Sequence, residues 1–179
     1  LLDENWGFHP YTTWSTVTDF HAHQFIDLLP FEVEKEVIGV MRPYLTRHGH
    51  GPLPGELNAH YKHSLKNLQE DNYENDWQNG FRYGDFSSNM LELALTANQI
   101  DSFAVTCLDQ LNEVRWNKYH YIDLEPNYDF ENPRRTAFPL YMKRDVETIT
   151  KKEFINRLQG YKPVKIISEG KTYKDKNLK

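Results

Sequence analysis

The stretch "DFSSNMLELALTANQIDSFAVTCLD", residues 85–109, places a helical pattern directly before a buried-strand pattern. Asp85 or Ser87 can cap a helix whose apolar residues recur at helical spacing, and Asn98 is a suitable end. The run over residues 102–109 is short and apolar, which is typical of a strand buried on both faces. A helix that leads into such a strand predicts an α/β fold with a mostly parallel sheet flanked by helices.

The same alternation continues toward the C-terminus. Thr150 can cap a helix over residues 151–158, and Gly160 is a suitable end for it. The apolar run "VKIIS" at Val164–Ser168 then predicts another buried strand. We expect the lysine-rich end, from residue 171 onward, to be frayed.

The remaining segments carry weaker patterns. Apolar residues at helical spacing predict two helices in the first forty residues, and alternation of apolar and polar residues predicts strands farther on. These predictions are helices over 21–29 and 31–40 and strands over 41–47, 118–124 and 138–142.

Composition narrows the functional classes. The net charge of −5 argues against a general nucleic-acid binder, which normally carries a basic face. No apolar run approaches the ~20 residues that cross a bilayer, so no membrane partner is expected. Cys107 is the only cysteine, which excludes an internal disulfide and favours a reducing, cytoplasmic environment.

The first sixteen residues, "LLDENWGFHPYTTWST", begin without a methionine and read like the end of a buried strand that runs into a functional loop. The 39% of apolar residues is enough for one core. We therefore expect residues 1–179 to form a single domain that is the C-terminal portion of a longer protein.

The histidines raise the question of a metal site. A zinc hydrolase holds its ion with about three side chains and keeps one position open. No HExxH or comparable signature is present, so we favour surface or loop-packing histidines, predict no metal ligand, and keep the hydrolase as the last alternative. The close pairs are His21 with His23, His48 with His50, and His60 with His63.

Two short segments suggest a nucleotide, although the sequence has no P-loop and no GxGxxG. "TCLD" places Asp109 at the carboxyl end of a predicted buried strand, where open α/β sheets bind ligands. A carboxylate there can accept two hydrogen bonds from guanine. "IISEG" places Ser168 and Gly170 at the end of another strand, where a glycine turn lets the backbone approach a base. The alternatives are that Asp109 is a helix cap and that "IISEG" ends in an ordinary turn.

Several segments together resemble the adenylosuccinate synthetase family, in the family's order. The stretch "YLTRHGHGPLPGE", residues 44–56, is similar to YxTRVGAGPFPTE, the most specific of these matches. The opening residues resemble LLDxDxGTYPxVTSS, residues 80–111 resemble RRxGWLD, a helix and LTKLDxL, and "VKIISEGK" resembles IISxGP. The resemblance implies a P-loop-NTPase-like adenylosuccinate synthetase fold, truncated before the part that holds the phosphate loop and the catalytic residues.

The family joins aspartate to inosine monophosphate at the expense of GTP and with Mg²⁺, through a 6-phosphoryl intermediate. The resemblance therefore implies a ligase of purine biosynthesis and a homodimer. This portion alone is expected to be inactive, because the family's catalytic residues and most Mg²⁺ ligands fall outside it. The resemblance implies that Thr13, Arg47, His48, Gly49 and Arg82 lie on the inosine monophosphate side, and that Cys107, Asp109, Ser168 and Gly170 bind the guanine nucleotide.

The chain also departs from the family's pattern. The family's TTGRxRRxG reads "DWQNGFRYG" at residues 76–84, where only Arg82 and Gly84 clearly match. The two carboxylates of aspartate are normally bound by forked guanidinium groups, and a single arginine is few for that purpose. Cys107 replaces the lysine of TKLD, and Gly55 replaces the threonine of PTE. These changes favour a divergent homologue that acts on another purine nucleotide, such as dGMP, or uses ATP; a non-catalytic nucleotide-binding relic is the other alternative.

Overall fold

The computed structural model describes residues 3–57, 76–77, 80–121 and 142–178. Within these residues, three α-helices and nine strands are present, and short 3₁₀ turns cover Leu108–Gln110 and Tyr173–Asp175. In order, the elements are α1 (Phe20–Asp27), β1 (Ile38–Met41), β2 (Leu45–His48), β3 (Phe81–Gly84), β4 (Phe86–Ser87), α2 (Ser88–Ala97), β5 (Ser102–Val105), β6 (Glu113–Tyr121), β7 (Met142–Thr150), α3 (Lys151–Gln159), β8 (Val164–Ser168) and β9 (Lys176–Leu178).

The main sheet has the strand order β1-β5-β8-β9. Strands β1, β5 and β8 are parallel, and β9 runs antiparallel to β8. Val105 of β5 lies opposite Ile167 of β8, so the carboxyl ends of these two strands meet at one edge of the sheet. The predicted α/β class with a mostly parallel sheet is confirmed for this sheet.

Two smaller sheets complete the described fold. β2 pairs antiparallel with β3, so that residues 45–48 oppose residues 81–84. β4 runs parallel to β6, and β6 forms a nine-residue antiparallel ladder with β7. The architecture is therefore mixed, with antiparallel hairpins beside the parallel sheet.

Helices α2 and α3 form where the sequence predicts them, because both have a capping side chain. The Oγ of Ser87 accepts a hydrogen bond from the Met90 N–H at 3.3 Å, so Ser87 and not Asp85 is the cap of α2. The Oγ1 of Thr150 accepts from the Glu153 N–H at 3.1 Å at the start of α3. None of the described helices is long and apolar enough to cross a membrane.

The core lies where α3 and the β6–β7 hairpin pack with the main sheet. Phe103, Val114, Phe154 and Leu158 are completely buried. The ring of Phe154 is 4.9 Å from that of Phe86, in an edge-to-face arrangement. Truncating a buried aromatic such as Phe154 to alanine costs about 3–5 kcal/mol of unfolding free energy.

Three sequence-based predictions differ from the structure. The helix over residues 31–40 is wrong: residues 31–37 are irregular, and the Val37 N–H donates to Asp101 Oδ2 at 2.8 Å beside strand β1. Pairing of β1 with β5 overrides the helical spacing. The frayed C-terminus is also wrong, because β9 pairs with β8 as far as Leu178. Strand β6 starts at Glu113, earlier than the pattern predicted, and residues 122–141 lie outside the described residues.

Candidate functional site

A buried aspartate organises the N-terminal loop, residues 3–18. Oδ1 of Asp3 accepts from the N–H groups of Asn5 and Trp6 at 2.9 and 3.0 Å. Oδ2 accepts from Thr16 Oγ1 and the Val17 N–H, both at 2.7 Å. Burial raises the pKa of Asp3, but these hydrogen bonds, led by that of Thr16, outweigh it and lower the pKa to about 2. The ionised carboxylate thus closes the loop on itself.

The loop also contacts the β2–β3 hairpin. The carbonyl of Tyr11 accepts from Arg47 Nη2 at 2.7 Å. Thr13, two residues farther on, is exposed, and its Oγ1 lies 2.8 Å from Ser15 Oγ. The structure therefore brings the predicted Thr13 and Arg47 into neighbouring segments.

Arg47 is a buried cation that holds the glycine loop. It is 2% exposed. Its Nε donates to the His50 carbonyl at 2.8 Å, and its Nη1 donates to the Pro52 carbonyl at 3.3 Å. Burial and the positive charge of Arg82 lower its pKa. The guanidinium is therefore occupied by main-chain acceptors.

Arg82 holds the same loop from the opposite strand. It lies directly across the ladder from Arg47. Its Nη1 donates to the carbonyls of Gly49 and Gly51 at 2.8 and 3.0 Å, and its Nη2 donates to Gly51 at 2.6 Å. The carbonyls of four successive residues, 49–52, thus accept hydrogen bonds from two guanidinium groups.

Two glycines are required by the path of this loop. Gly49 has φ 69° and Gly51 has φ 102°, a region that favours glycine. A Cβ on Gly51 would also collide with the Arg47 guanidinium and with the side chain of Tyr11. The loop is therefore a fixed shape, as its glycines and prolines predicted.

The histidine pairs do not converge in the described residues. His48 packs its ring on Phe81 at 4.6 Å, whereas His50 is exposed. His23 Nε2 lies 3.0 Å from Asp19 Oδ2 on α1, and His21, two residues earlier, points to a different side of the helix. His60 and His63 lie outside the described residues. Within the described ranges, no three side chains of His, Cys, Asp or Glu form a group that could hold a metal ion.

The predicted guanine-side residues lie at the two adjacent strand ends. Cys107 follows β5 in the left-handed conformation, with φ 59°, and starts the 3₁₀ turn that carries Asp109. Asp109 is exposed, and its Oδ2 accepts from Gln110 Nε2 at 3.0 Å. Ser168 ends β8, is 4% exposed, and donates through Oγ to the Gly170 carbonyl at 3.2 Å. The sheet therefore brings these four predicted residues to one edge.

Three acidic residues near the hairpin were not predicted as site residues. Asp3 forms the loop described above, and Glu56 lies 3.0 Å from Arg82 Nε. Asp85, 2% exposed, pairs with Arg115 through distances of 2.7 and 3.3 Å. An Asx turn over "DEN" could have indicated Asp3, whereas the other two pairings join residues 26 and 30 positions apart, which no local pattern reveals.

Comparison with known proteins gives one family. A family model described as adenylosuccinate synthetase matches residues 1–175. The adenylosuccinate synthetase of a Cyanothece species is 33% identical over 140 residues, which are 76% of this chain and 31% of that protein. That of Halothermothrix orenii is 33% identical over 115 residues, 64% of this chain and 26% of that protein. The chain thus spans about a third or less of the length of these curated relatives.

Two solved structures share the fold. Fully ligated adenylosuccinate synthetase from Plasmodium falciparum superposes with a TM-score of 0.72 at 23% identity, over 99% of this chain and 47% of that one. The cyanophage S-2L succinoaminodeoxyadenylate synthetase, bound to dGMP and to dATP as an energy donor, gives 0.60 at 16% identity, over 98% and 43%. At these identities the likeness shows the fold, which is the adenylosuccinate synthetase fold.

Proposed function

Because the chain belongs to the adenylosuccinate synthetase family, we propose that it supplies part of a GTP-dependent ligase that joins aspartate to inosine monophosphate, giving adenylosuccinate, GDP and phosphate. Family membership supports the ligase class and a place in purine biosynthesis. The chain spans about a third or less of its curated relatives, so the activity of a whole protein, its homodimeric state and its cytoplasmic location are part of the proposal. We expect the 179 residues alone to form no adenylosuccinate.

The meeting of two strand ends carries the guanine part of the proposal. Asp109 presents an exposed carboxylate at the end of β5, and Ser168 and Gly170 end the neighbouring β8. A carboxylate can accept hydrogen bonds from both the N1–H and the exocyclic amine of guanine, and adenine offers no matching pair of donors. A base above this edge would therefore be read by Asp109 and enclosed by the turn after β8.

The hairpin loop supports the nucleotide side. Arg47 and Arg82 fix the backbone of residues 49–52, so a ligand that reaches His48 and Gly49 would meet a loop that is already in place. Thr13 lies on the adjoining loop and has an exposed hydroxyl that can donate to a phosphate. A pre-shaped loop reduces the entropy that binding would otherwise consume.

Mg²⁺ accompanies GTP in the family, and it would supply charge neutralisation to the phosphates. No carboxylate cluster among the described residues fits such an ion, because no group of three candidate ligands is present there. We therefore assign to the described residues a role in nucleotide recognition.

The test is the selectivity of nucleotide binding at Asp109. Calorimetric titration of the full chain should show that GTP binds more tightly than ATP. Asp109→Asn should weaken GTP binding by about tenfold and so remove most of that preference. The variant replaces an acceptor oxygen by an amide, so it should leave ATP binding unchanged. Glu113→Gln, which removes an exposed carboxylate four residues farther on at the start of β6, is the matched control. Equal affinity for GTP and ATP in the unsubstituted chain would contradict the guanine assignment.

A divergent ligase that takes dGMP or uses ATP is the second candidate. Both arginines of the hairpin are occupied by the loop, so neither presents the free fork that a dicarboxylate requires. Cys107 stands where the family pattern has a lysine, which removes a cation from the base site. Titration with dGMP and inosine monophosphate separates the candidates, since the divergent ligase should prefer dGMP.

A further inference from the structure

A histidine on α1 lies between an acid and a lysine. The Nε2 of His23 is 3.0 Å from Oδ2 of Asp19, which precedes it by one helical turn. The Nδ1 of the same ring is 2.8 Å from Nζ of Lys35. The side chains of His23 and Asp19 are only 19% and 13% exposed. Both ring nitrogens therefore contact charged groups, and these two groups have opposite sign.

The two contacts determine where the ring carries its hydrogen. An ammonium group has three donors and no acceptor, so Nδ1 of His23 accepts the hydrogen bond from Lys35. An ionised carboxylate only accepts, so Nε2 of His23 donates to Asp19. The contacts therefore select the neutral ring with its hydrogen on Nε2. A second proton on Nδ1 would replace the hydrogen bond to Lys35 by a contact between two cations.

Asp19 holds the ring on the side away from Lys35. The Asp19 N–H donates to Asn98 Oδ1 at 2.9 Å, and Asp19 Oδ2 accepts from the Gln99 N–H at 2.8 Å. Both partners follow α2 and carry no charge. Protonation of His23 strengthens its bond to the Asp19 carboxylate, because that bond then joins opposite charges. Lys35 is therefore the partner that protonation displaces.

Lys35 lines an apolar groove between α1 and the segment that follows it. The segment is held beyond Lys35 by Glu36, whose Oε1 is 2.6 Å from Lys165 Nζ, and by Val37, whose N–H donates to Asp101. The hydrogen bond of Lys35 joins the end of the segment back to α1. The apolar residues that line the groove are Ile26, Leu29, Pro30, Phe31 and Val33.

The other ionisable groups of α1 and of this segment do not contact the His23 ring. His21 Nδ1 lies 3.1 Å from Gln24 Oε1. Among the residues that the structure describes, Asp19 and Lys35 are the charged groups within hydrogen-bond distance of His23. The exposed acids nearest in sequence are Asp27, Glu32 and Glu34. A change in the charge of His23 therefore acts first on Asp19 and Lys35.

We propose that Asp19, His23 and Lys35 form a pH-sensitive switch, in which neutral His23 binds Lys35 and holds residues 29–35 beside α1, and protonated His23 releases Lys35 and widens the groove. Histidine is the side chain whose ordinary charge change falls between about pH 5 and pH 8. The switch lies outside the residues assigned to nucleotide binding and does not rest on the proposed function.

NMR of the ¹⁵N- and ¹³C-labelled 179-residue chain tests the switch directly. At about pH 8 the His23 ring should be neutral with its hydrogen on Nε2, and at about pH 5 it should be charged. The methyl signals of Ile26 and Val33 should shift with the same midpoint as the His23 ring, because both residues line the groove. A hydrogen on Nδ1 at the higher pH would overturn the proposal. Methyl signals that stay fixed while His23 titrates would also overturn it.

Variants assign the response to His23. In His23→Gln the amide can donate to Asp19 and accept from Lys35 at any pH, so the methyl shift should be abolished. His21→Gln removes the other histidine of α1 and is the matched control, which should leave the shift unchanged. Lys35→Met should hold the methyl signals near their low-pH positions throughout.

The outcome is independent of nucleotide binding. A methyl shift that persists in His23→Gln would overturn the proposal, since another group would then cause it. If that variant did not fold, the tautomer and the common midpoint in the unsubstituted chain would still decide the matter. Neither result changes the GTP selectivity expected at Asp109, so failure of the switch is distinguishable from failure of the proposed function.

Discussion

The hairpin loop and the paired strand ends are built in opposite ways. Residues 49–52 take their shape from two arginine side chains that hold successive carbonyls, together with glycines at positive φ. The turns after β5 and β8 take their place from the register of parallel strands, and Asp109 is left exposed there. Substitutions should therefore damage the structure of the first region, whereas in the second they should change ligand preference at little cost in stability.

The largest effect is expected for Gly51→Ala in the hairpin loop. The new Cβ would collide with Arg47 and Tyr11, and φ 102° is strained for alanine. We expect a loss of about 3 kcal/mol in the free energy of unfolding, measured by urea denaturation.

Gly80→Ala is the matched control, since a Cβ there would meet nothing within 4 Å. Its free energy of unfolding should stay within about 0.5 kcal/mol of the unsubstituted value. If the two alanine variants were equally stable, the loop would not be held by the contacts at Gly51.

A smaller effect is expected from acid, through Asp3 on the loop that Tyr11 joins to the hairpin. The folded pKa of Asp3, about 2, lies below the ordinary value of 3.8. A lowered carboxyl pKa stabilises the fold above the unfolded value, and that stability disappears as the pH falls from about 4 to 2. Its contribution at neutral pH is about 2 kcal/mol.

Asp3→Asn should remove that contribution and flatten the fall in stability between about pH 4 and pH 2. Glu4→Gln, an exposed neighbour, is the control and should leave the pH profile unchanged. Denaturation at a series of pH values measures both variants, and an unaltered profile for Asp3→Asn would show that its hydrogen bonds do not hold the loop.

These two regions also differ in how far the sequence predicts them. The strand ends follow from local patterns, because the cap at Ser87, the apolar run of β5 and the run "VKIIS" each fix a boundary within a few residues. Two buried strands that alternate with helices then bring Asp109 and Ser168 to the same edge of a parallel sheet.

The hairpin is harder to predict because its bonds join distant residues. Glycines and prolines indicated a fixed loop, but nothing in the sequence showed that the arginines hold the loop through hydrogen bonds to its carbonyls. Arg47 contacts Tyr11, 36 positions away, and Arg82 contacts Gly49, 33 positions away. Strand β1 was missed for the same reason. Its apolar residues have helical spacing, but pairing with β5 over a long sequence distance determines its structure.

The smallest effect is expected for Ser168→Ala at the strand ends. Its Oγ makes one hydrogen bond of 3.2 Å to the Gly170 carbonyl, so its loss should cost about 1 kcal/mol of unfolding free energy. Ser88→Ala is the matched control: Ser88 is also buried, and its Oγ donates to the Asn117 carbonyl at 3.3 Å. The two variants should lose similar stability in urea denaturation. Only Ser168→Ala should weaken GTP binding, because the released Gly170 turn no longer encloses the base. Equal GTP affinity in both variants would place the turn after β8 outside the nucleotide site. It would then contradict the expectation that substitutions at the strand ends change ligand preference.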